Sequence, residues 1–528
     1  MLFPLVVGAL GWAGLAYIIY LVVTGILVTR RNAAKARELK CEPAPVQKNR
    51  WPLGVDQIVR AIKADKAKLF PVDAIKRIHD VGAGVNTYQW SIFGSPNFFT
   101  ADEKNIQAIL ATQFPDFDLG PLRRGNFWPL LGNGIFTQDG AGWEHSRAMM
   151  RPQFAREQVS DLELEEDHVQ NMMRALEARL QPDNWTDCVD LQVLFFRLTL
   201  DSATEFLFGE SVDSQKILMD GNNAADAGGN DAFDFATAFD QGQMALATRA
   251  RFAHMYWLIS PRGFKEACKV CHNFIDRFVR LALSKELREK ELEKGVGGKE
   301  KYVFLEALAA ECQDPVELRS QLLNILLAGR DTTASLLGWL FLCLARDPAR
   351  YKKLRDIVIN EFGTYDNPKQ ITFSKLKSCQ YLQHCNNEAL RLYPVVPINS
   401  RFANKDTTLP RGGGLDGQSK LFVPAGTAVD YSVHVLHHRK DIWGEDAEDF
   451  RPERWENRKV GWEYLPFNGG PRICIGQQFA LTESSYVTVR LLQRWDKMES
   501  LETDPVTRHN LTLTNCSGNG VKVRAHAA

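Results

Sequence analysis

The sequence predicts a mainly α protein with a minor β part, folded as one large unit behind an N-terminal apolar helix. Three observations carry that expectation. Apolar residues recur at helical spacing through most of residues 101–393. Short alternating runs of strand type are confined to residues 85–100 and roughly 395–435. Residues 1–29 are mostly apolar and hold no charged side chain.

Taken in chain order, Leu2 to Val28 as a helix would span about 40 Å, enough to cross a bilayer with some tilt. Arg30, Arg31, Lys35, Arg37 and Lys40 follow it against Glu38 alone. By the positive-inside bias, the remainder of the chain is expected on the cytoplasmic side. The rival is a cleaved secretory signal, whose positive charge would precede a shorter apolar run. The organisation read from this is an anchor over 1–29, a basic linker over 30–53 and one unit over 54–528. Pro43, Pro45 and Pro52 make the linker a semi-rigid spacer. The sequons at Asn184, Asn510 and Asn515 should stay unglycosylated on the cytoplasmic side.

Residues 85–93 read as a strand, followed by a turn over Gly94 to Asn97 and a second short strand. The helical stretch breaks at 209–230 and at Gly295 to Gly298, and the charge-rich segment 284–302 reads as a solvated helix end and loop. The later strands are interrupted at Arg411-Gly-Gly-Gly414. With 64 basic and 64 acidic side chains the net charge is zero, which points away from a nucleic-acid partner. Ten cysteines in 528 residues are too sparse for a disulfide scaffold and fit a reducing compartment.

The chemistry concentrates near the C-terminus, in Phe467-Asn-Gly-Gly-Pro-Arg-Ile-Cys-Ile-Gly476. Gly469, Gly470 and Gly476 allow positive φ and a close pass by a large flat ligand. Backbone N–H groups in such a loop can point at the Cys474 sulfur. A helix beginning at Gly476 would favour its thiolate, and Arg472 suits a carboxylate on the ligand. Upstream, Ala328-Gly-Arg-Asp-Thr-Thr333 interrupts a long apolar helix. Polar groups there are costly unless partnered. Thr332 can bond back one turn and Gly329 lets the backbone loosen, which would open a groove beside the acid–alcohol pair Asp331 and Thr332. Glu388 and Arg391 share a helix face at i,i+3, as Trp143 and Arg147 do at i,i+4.

The Cys474 loop resembles, position by position, the haem-binding loop of the cytochrome P-450 superfamily, matching at Phe467, Gly470, Arg472, Cys474 and Gly476. The resemblance covers residues 50–528 and implies a haem-thiolate monooxygenase fold. It implies haem b bound non-covalently, with Cys474 as the metal ligand. Trp143, Arg147 and Arg401 then match propionate-holding positions. Asp331 and Thr332 match the catalytic pair that manages protons during oxygen activation. Glu388, Arg391 and, from Phe450-Arg-Pro-Glu-Arg-Trp455, Arg454 match a buried structural network under the haem loop. Where one animal branch carries a haem-esterifying glutamate, this chain has Ala328.

Leu131-Gly-Asn-Gly-Ile-Phe-Thr137, the segment Trp143 to Phe154 and Arg330 resemble the fungal microsomal branch that hydroxylates n-alkanes and fatty acids at or near the chain end. The candidate pocket lining is Phe127, Trp128, Leu130, Ile325, Leu326, Ala328, Val395, Val396 and Ile398. Such a wall holds hydrocarbon but offers few polar handles. No strand–Gly-x-Gly-x-x-Gly–helix unit is found, so the expected electron source is a separate NADPH-cytochrome P-450 reductase, with cytochrome b5 as a further candidate partner. Arg147, Arg151 and Arg156 are candidates for its docking face, and the endoplasmic reticulum membrane is the implied location. The loop Met255-Tyr-Trp-Leu-Ile259 matches a family segment that dips into the bilayer. Cys268-Lys-Val-Cys271-His272 fits the c-type haem signature, but it sits in an amphipathic helical pattern expected to run from Arg262 to about Lys294, and is read as coincidence. The same enzyme class acting on another hydrophobic secondary metabolite or xenobiotic, a haem-thiolate isomerase or dehydratase, and a tethered haem-binding protein remain alternative functions; the Asp331–Thr332 pair argues against the isomerase or dehydratase.

Overall fold

The structure, a computed structural model, describes residues 2–154, 162–219, 231–284 and 303–528. Arg156, the second half of the break at 209–230 and nearly all of the charge-rich segment 284–302 therefore lie outside the described residues.

The first helix runs over Leu2–Glu38, nine residues beyond the expected end of the anchor at 29. Nothing stops it earlier: Ala33, Ala34, Lys35, Ala36 and Arg37 are good helix formers, and the left-handed Lys40 comes just past its end. Its described apolar part carries no buried residue over the most hydrophobic window, and it is long and apolar enough to cross a membrane. The segment after it, expected as a semi-rigid spacer within 30–53, is tied to the body by backbone hydrogen bonds. Glu42 N–H donates to Lys420 O at 2.9 Å, and Gln47 N–H and Gln89 N–H exchange bonds with Gln89 O and Pro45 O at 2.8 Å each. Within the last turns of the helix, Arg31 reaches Asp406 at 2.9 Å and Lys35 contacts the same carboxylate.

Helices dominate, as the periodicity predicts, and one of them organises the rest. The central helix Pro315–Arg346 is buried along almost all of its length: apolar residues fall on every side of it, and polar ones among them, such as Asn324 and Ser335, are hydrogen-bonded. Asp314 caps its N-terminus by accepting from the Val316 N–H at 2.9 Å. Its first half packs with Leu191–Phe208, Asp231–Ala250 and Phe264–Leu283 in one apolar core. Its second half packs with Pro348–Phe362, Gln380–Leu392 and Gln477–Arg494 in another.

The β part is minor and peripheral. Strands β1 (Thr87–Ile92), β2 (Ser95–Thr100), β3 (Phe117–Asp118), β5 (Ile398–Ala403) and β8 (Ala428–Ser432) form a sheet in the order β1-β2-β8-β5-β3. All pairs in it are antiparallel except β2 with β8. The β1–β2 connection is tighter than the expected Gly94–Asn97 turn: only Phe93 and Gly94 separate the strands, both with positive φ. Strands β6 (Thr407–Gly413) and β7 (Ser419–Val423) form a separate hairpin. The C-terminal strands β9 (Trp495–Ser500) and β12 (Lys522–Ala527) pair with each other, and β12 also pairs with β4 (Val189–Asp190). A short hairpin, β10 (His509–Leu511) with β11 (Asn515–Ser517), completes the set.

Candidate active site

Cys474 sits in the wall of a cavity of about 310 Å³, opposite the middle of the central helix. The turn that presents it is closed by the Cys474 N–H donating to Phe467 O and the Ile473 N–H donating to Gly470 O, both at 3.0 Å. Of the three glycines expected to need positive φ, only Gly470 does, at 66°. A Cβ there would lie 1.8 Å from Leu110 O, so the position admits no side chain. Asn468 takes the other left-handed conformation, at 63°, while Gly469 and Gly476 are at −154° and −85°. Asparagine tolerates that region better than most residues.

The loop alone does not yield the thiolate expected from the following helix. Burial pushes the Cys474 thiol up, and the opposing Gly476 N–H and the Arg147 charge do not cancel it. A metal cation at the sulfur would supply the missing positive charge and hold the ligand deprotonated.

Four guanidinium groups share the same wall: Arg123, Arg147, Arg401 and Arg472. Arg147, on the helix Gly140–Met150, donates to Ile473 O at 3.1 Å, directly beside the cysteine. Trp143, one turn earlier, lies under Arg472 with 4.4 Å between guanidinium and ring centre, and Arg147 lies at 5.8 Å. Arg472 donates to Asp139 Oδ1 at 2.8 Å and to Gln138 O at 3.0 Å. Arg401 on β5 is buried and donates to Ser400 O at 2.8 Å. Arg123, which sequence reasoning missed, donates to Asn399 Oδ1 at 2.7 Å, and its Nε has no partner. Burial and the nearby Arg401 charge lower both Arg123 and Arg472 to about 10. Arg147 is lowered by burial and by Arg151. So much mutually repelling cation, with no acidic residue among those lining the cavity, suits a ligand that brings its own carboxylates. A soft sulfur donor on one wall and arginines for two propionates fit haem.

Across the cavity, Ala328, Gly329, Thr332 and Thr333 face the cysteine loop. Thr332 Oγ1 donates to Ala328 O at 2.5 Å, the bond back that its position predicts. The helix nevertheless stays continuous from Pro315 to Arg346, so the expected opening of the backbone at Gly329 is absent. Packing along the helix outweighs the local loosening. Asp331 is buried and is not among the lining residues; it approaches Arg330 at 3.3 Å. Thr333 leads instead to Glu483, which burial and the neighbouring Glu165 hold well above the usual carboxyl range.

The structural trio meets away from the cavity. Glu388 accepts from Arg391 at 2.9 Å through both oxygens, from Arg454 Nε at 3.1 Å and from Trp455 Nε1 at 3.0 Å, and the three charged side chains are buried. Of the candidate apolar lining, Phe127, Ile325, Ala328, Val395 and Val396 reach the wall. Trp128, Leu130, Leu326 and Ile398 do not. Trp128 is 55% exposed on the outer face of Pro121–Leu131, and Leu130 and Leu326 pack in the core. Leu326 is turned by about 100° from Ile325 by the helix itself. Ile398 alternates on β5 with Asn399, which does face the cavity. The β11 approach brings Leu513 and Thr514 into the wall, and Leu191–Phe208 brings Phe206, none of which carries a local sequence signal.

Cys268 and Cys271 lie in the helix Phe264–Leu283, within the expected 262–294, of which residues 285–294 lie outside the described residues; both are buried and away from the lining residues, and burial raises Cys268 to about 11. The loop at 255–259 forms a short helix over Ala253–Leu258, with Met255, Trp257 and Leu258 exposed.

A family model described as Cytochrome P450 matches residues 85–519. The chain is 64% identical to cytochrome P450 monooxygenase g430 of a Fusarium species, over 98% of this chain and 90% of that one. It is 47% identical to cytochrome P450 monooxygenase alt2 of Alternaria solani, over 96% and 95%. Against cytochrome P450 52A5 of Candida maltosa it is 49% identical, over 83% and 82%. Cysteine loop, arginine wall and sequence therefore agree that this chain belongs to the cytochrome P450 family of haem-thiolate monooxygenases.

Proposed function

We propose that this monooxygenase oxidises long apolar chains, fatty acids or n-alkanes, at or near the terminal methyl. The carrying observation is the distribution of polarity over the cavity. Its charged lining residues are the four arginines, gathered on the side that suits the cofactor's carboxylates, while Phe127, Phe206, Ile325, Val395, Val396 and Leu513 make much of the remainder apolar, with the hydroxyls of Thr332, Thr333 and Thr514 among its few polar groups. An apolar wall supplies burial and shape but no polar grip along the substrate. The resemblance of Leu131–Thr137, Trp143–Phe154 and Arg330 to the fungal microsomal hydroxylases supports the same substrate class.

Haem supplies the oxygen-activating chemistry when bound, and the residues here arrange what surrounds it. Cys474 offers the sulfur ligand, steadied by the Gly476 N–H. Arg123, Arg147, Arg401 and Arg472 would hold the haem propionates. Thr332 presents its hydroxyl at the cavity wall, where Oγ1 can pass a proton, and Asp331 lies behind it as a buried acid. Terminal C–H bonds are stronger than internal ones, so terminal attack requires a passage that admits only the chain end; Phe127 and Val396 line the cavity, and their bulk supports such a narrowing. Electrons come from an NADPH-dependent reductase in the endoplasmic reticulum membrane, with the N-terminal helix holding the enzyme there and cytochrome b5 as a second donor. Purified enzyme with reductase and NADPH, given dodecanoate, hexadecanoate, oleate and n-alkanes, should form terminal alcohols by mass spectrometry. Turnover confined to sterols, polycycles or another class of apolar metabolite would overturn the substrate assignment.

A further inference from the structure

Behind the cavity-lining face of the central helix, one buried cation stands between two carboxylates. Arg330 donates to Asp240 Oδ1 at 2.5 Å and to Oδ2 at 3.3 Å, while Asp331 Oδ1 lies 3.3 Å from the same Nη1. Arg330 and Asp331 are buried; Asp240, on the helix Asp231–Ala250, is 60% exposed. The guanidinium is fixed over the rings of Phe196 and Phe239, at 5.5 and 5.9 Å. Asp240 takes the better part of it, and Asp331 Oδ1 has no hydrogen-bond partner among the described residues.

We propose that Asp240 is a positioning residue for the proton chemistry of this enzyme: by claiming Arg330 it denies Asp331 a full counter-charge and keeps that buried carboxyl able to take up and release a proton. The inference rests on the reading that Asp331 handles protons, and adds the residue that tunes it. Burial raises Asp331 to about 6 against the pull of Arg330, with Asp240 adding to the rise and Gln243 lending an opposing hydrogen bond. The other titratable groups facing the pair are Cys271 of Phe264–Leu283 and Cys516 of β11. Burial raises both thiols, Cys516 to about 12, so they are neutral at working pH. From Leu191–Phe208 the pair meets the ring of Phe196. Asp240 is therefore the one acid besides Asp331 that competes for Arg330 among the described residues.

The consequence has a definite sign. Removing the Asp240 charge leaves Arg330 to Asp331 alone, and a carboxylate that gains a nearby cation titrates about 1–3 units lower. Asp331 would then be ionised across the neutral range and hold no proton to give. The infrared C=O band of protonated Asp331, assigned by its loss in Asp331→Asn, should be titrated in the holoenzyme alongside product formed per NADPH. In Asp240→Asn the band midpoint should fall by about one unit or more, and product per NADPH should drop at neutral pH yet recover in acid. Asp240→Glu should restore both, and Arg330→Gln should move the midpoint upward. A midpoint unmoved by Asp240→Asn and Arg330→Gln overturns the proposal. Wild-type coupling in Asp331→Asn would instead overturn the proton role of Asp331, whatever the midpoint does.

Discussion

At the scale of single residues, Cys474 shows a site whose chemistry is completed by its ligand. Burial disfavours the thiolate, and one backbone N–H with one arginine does not reverse that. A metal cation placed against the sulfur would displace its proton to solvent, and the thiolate so formed would push electron density onto iron. Cys474→His should bind haem, if it binds it, without the red-shifted CO band of a thiolate complex; an unchanged CO spectrum would contradict the ligand assignment. Arg123 is the counterpart that no short motif announces. Residues 121–124, Pro-Leu-Arg-Arg, read as an ordinary helix start, and only the distant Asn399 and Arg401 give Arg123 its place in the cationic wall.

Among elements, the cysteine loop is held by shape as much as by chemistry. Gly470 packs against the backbone of Leu110 at positive φ, so Gly470→Ala meets a carbonyl oxygen and an unfavourable conformation together. Strain of this kind costs about 1–3 kcal/mol for the conformation before the clash is counted. That variant should lose haem faster and unfold at lower temperature, which haem transfer to an acceptor protein and thermal melts would read; wild-type haem retention would count against a fixed loop. Local order of this sort was legible in the sequence, because motif residues a few positions apart act within one turn. Phase within a uniformly apolar helix was not. Ile325 and Leu326 are equivalent by composition, and packing alone decides which of them faces the cavity. Pairing across long distances was equally hidden: β12 joins β4 more than three hundred residues away, and neither strand is strong enough locally to declare itself.

For the molecule as a whole, buried histidines set a limit toward acid. His434 and His438 lie with ring centres 4.1 Å apart in a tilted pair, His509 lies 5.6 Å from His434, and burial lowers all three, His438 to about 3 and His509 to about 4. The unfolded chain therefore binds protons near pH 6.5 that the folded chain refuses. The stability these residues allow is full above that value and is lost as pH falls from about 6.5 toward 4. Melting temperature measured over that interval should decline steeply, and less so in His438→Phe; a flat profile would exclude the cluster as its cause. The link between the N-terminal helix and Asp406 acts on a different quantity, orientation. A flexible leash would let the body tumble above a bilayer, meeting partners at every angle. Arg31 and Lys35, one turn apart on a continuous helix and clasping the same carboxylate, make the helix a keel instead. Were that helix set across a bilayer, as its length and apolar composition allow, any partner confined to the same sheet of lipid would meet the body at a nearly constant heading.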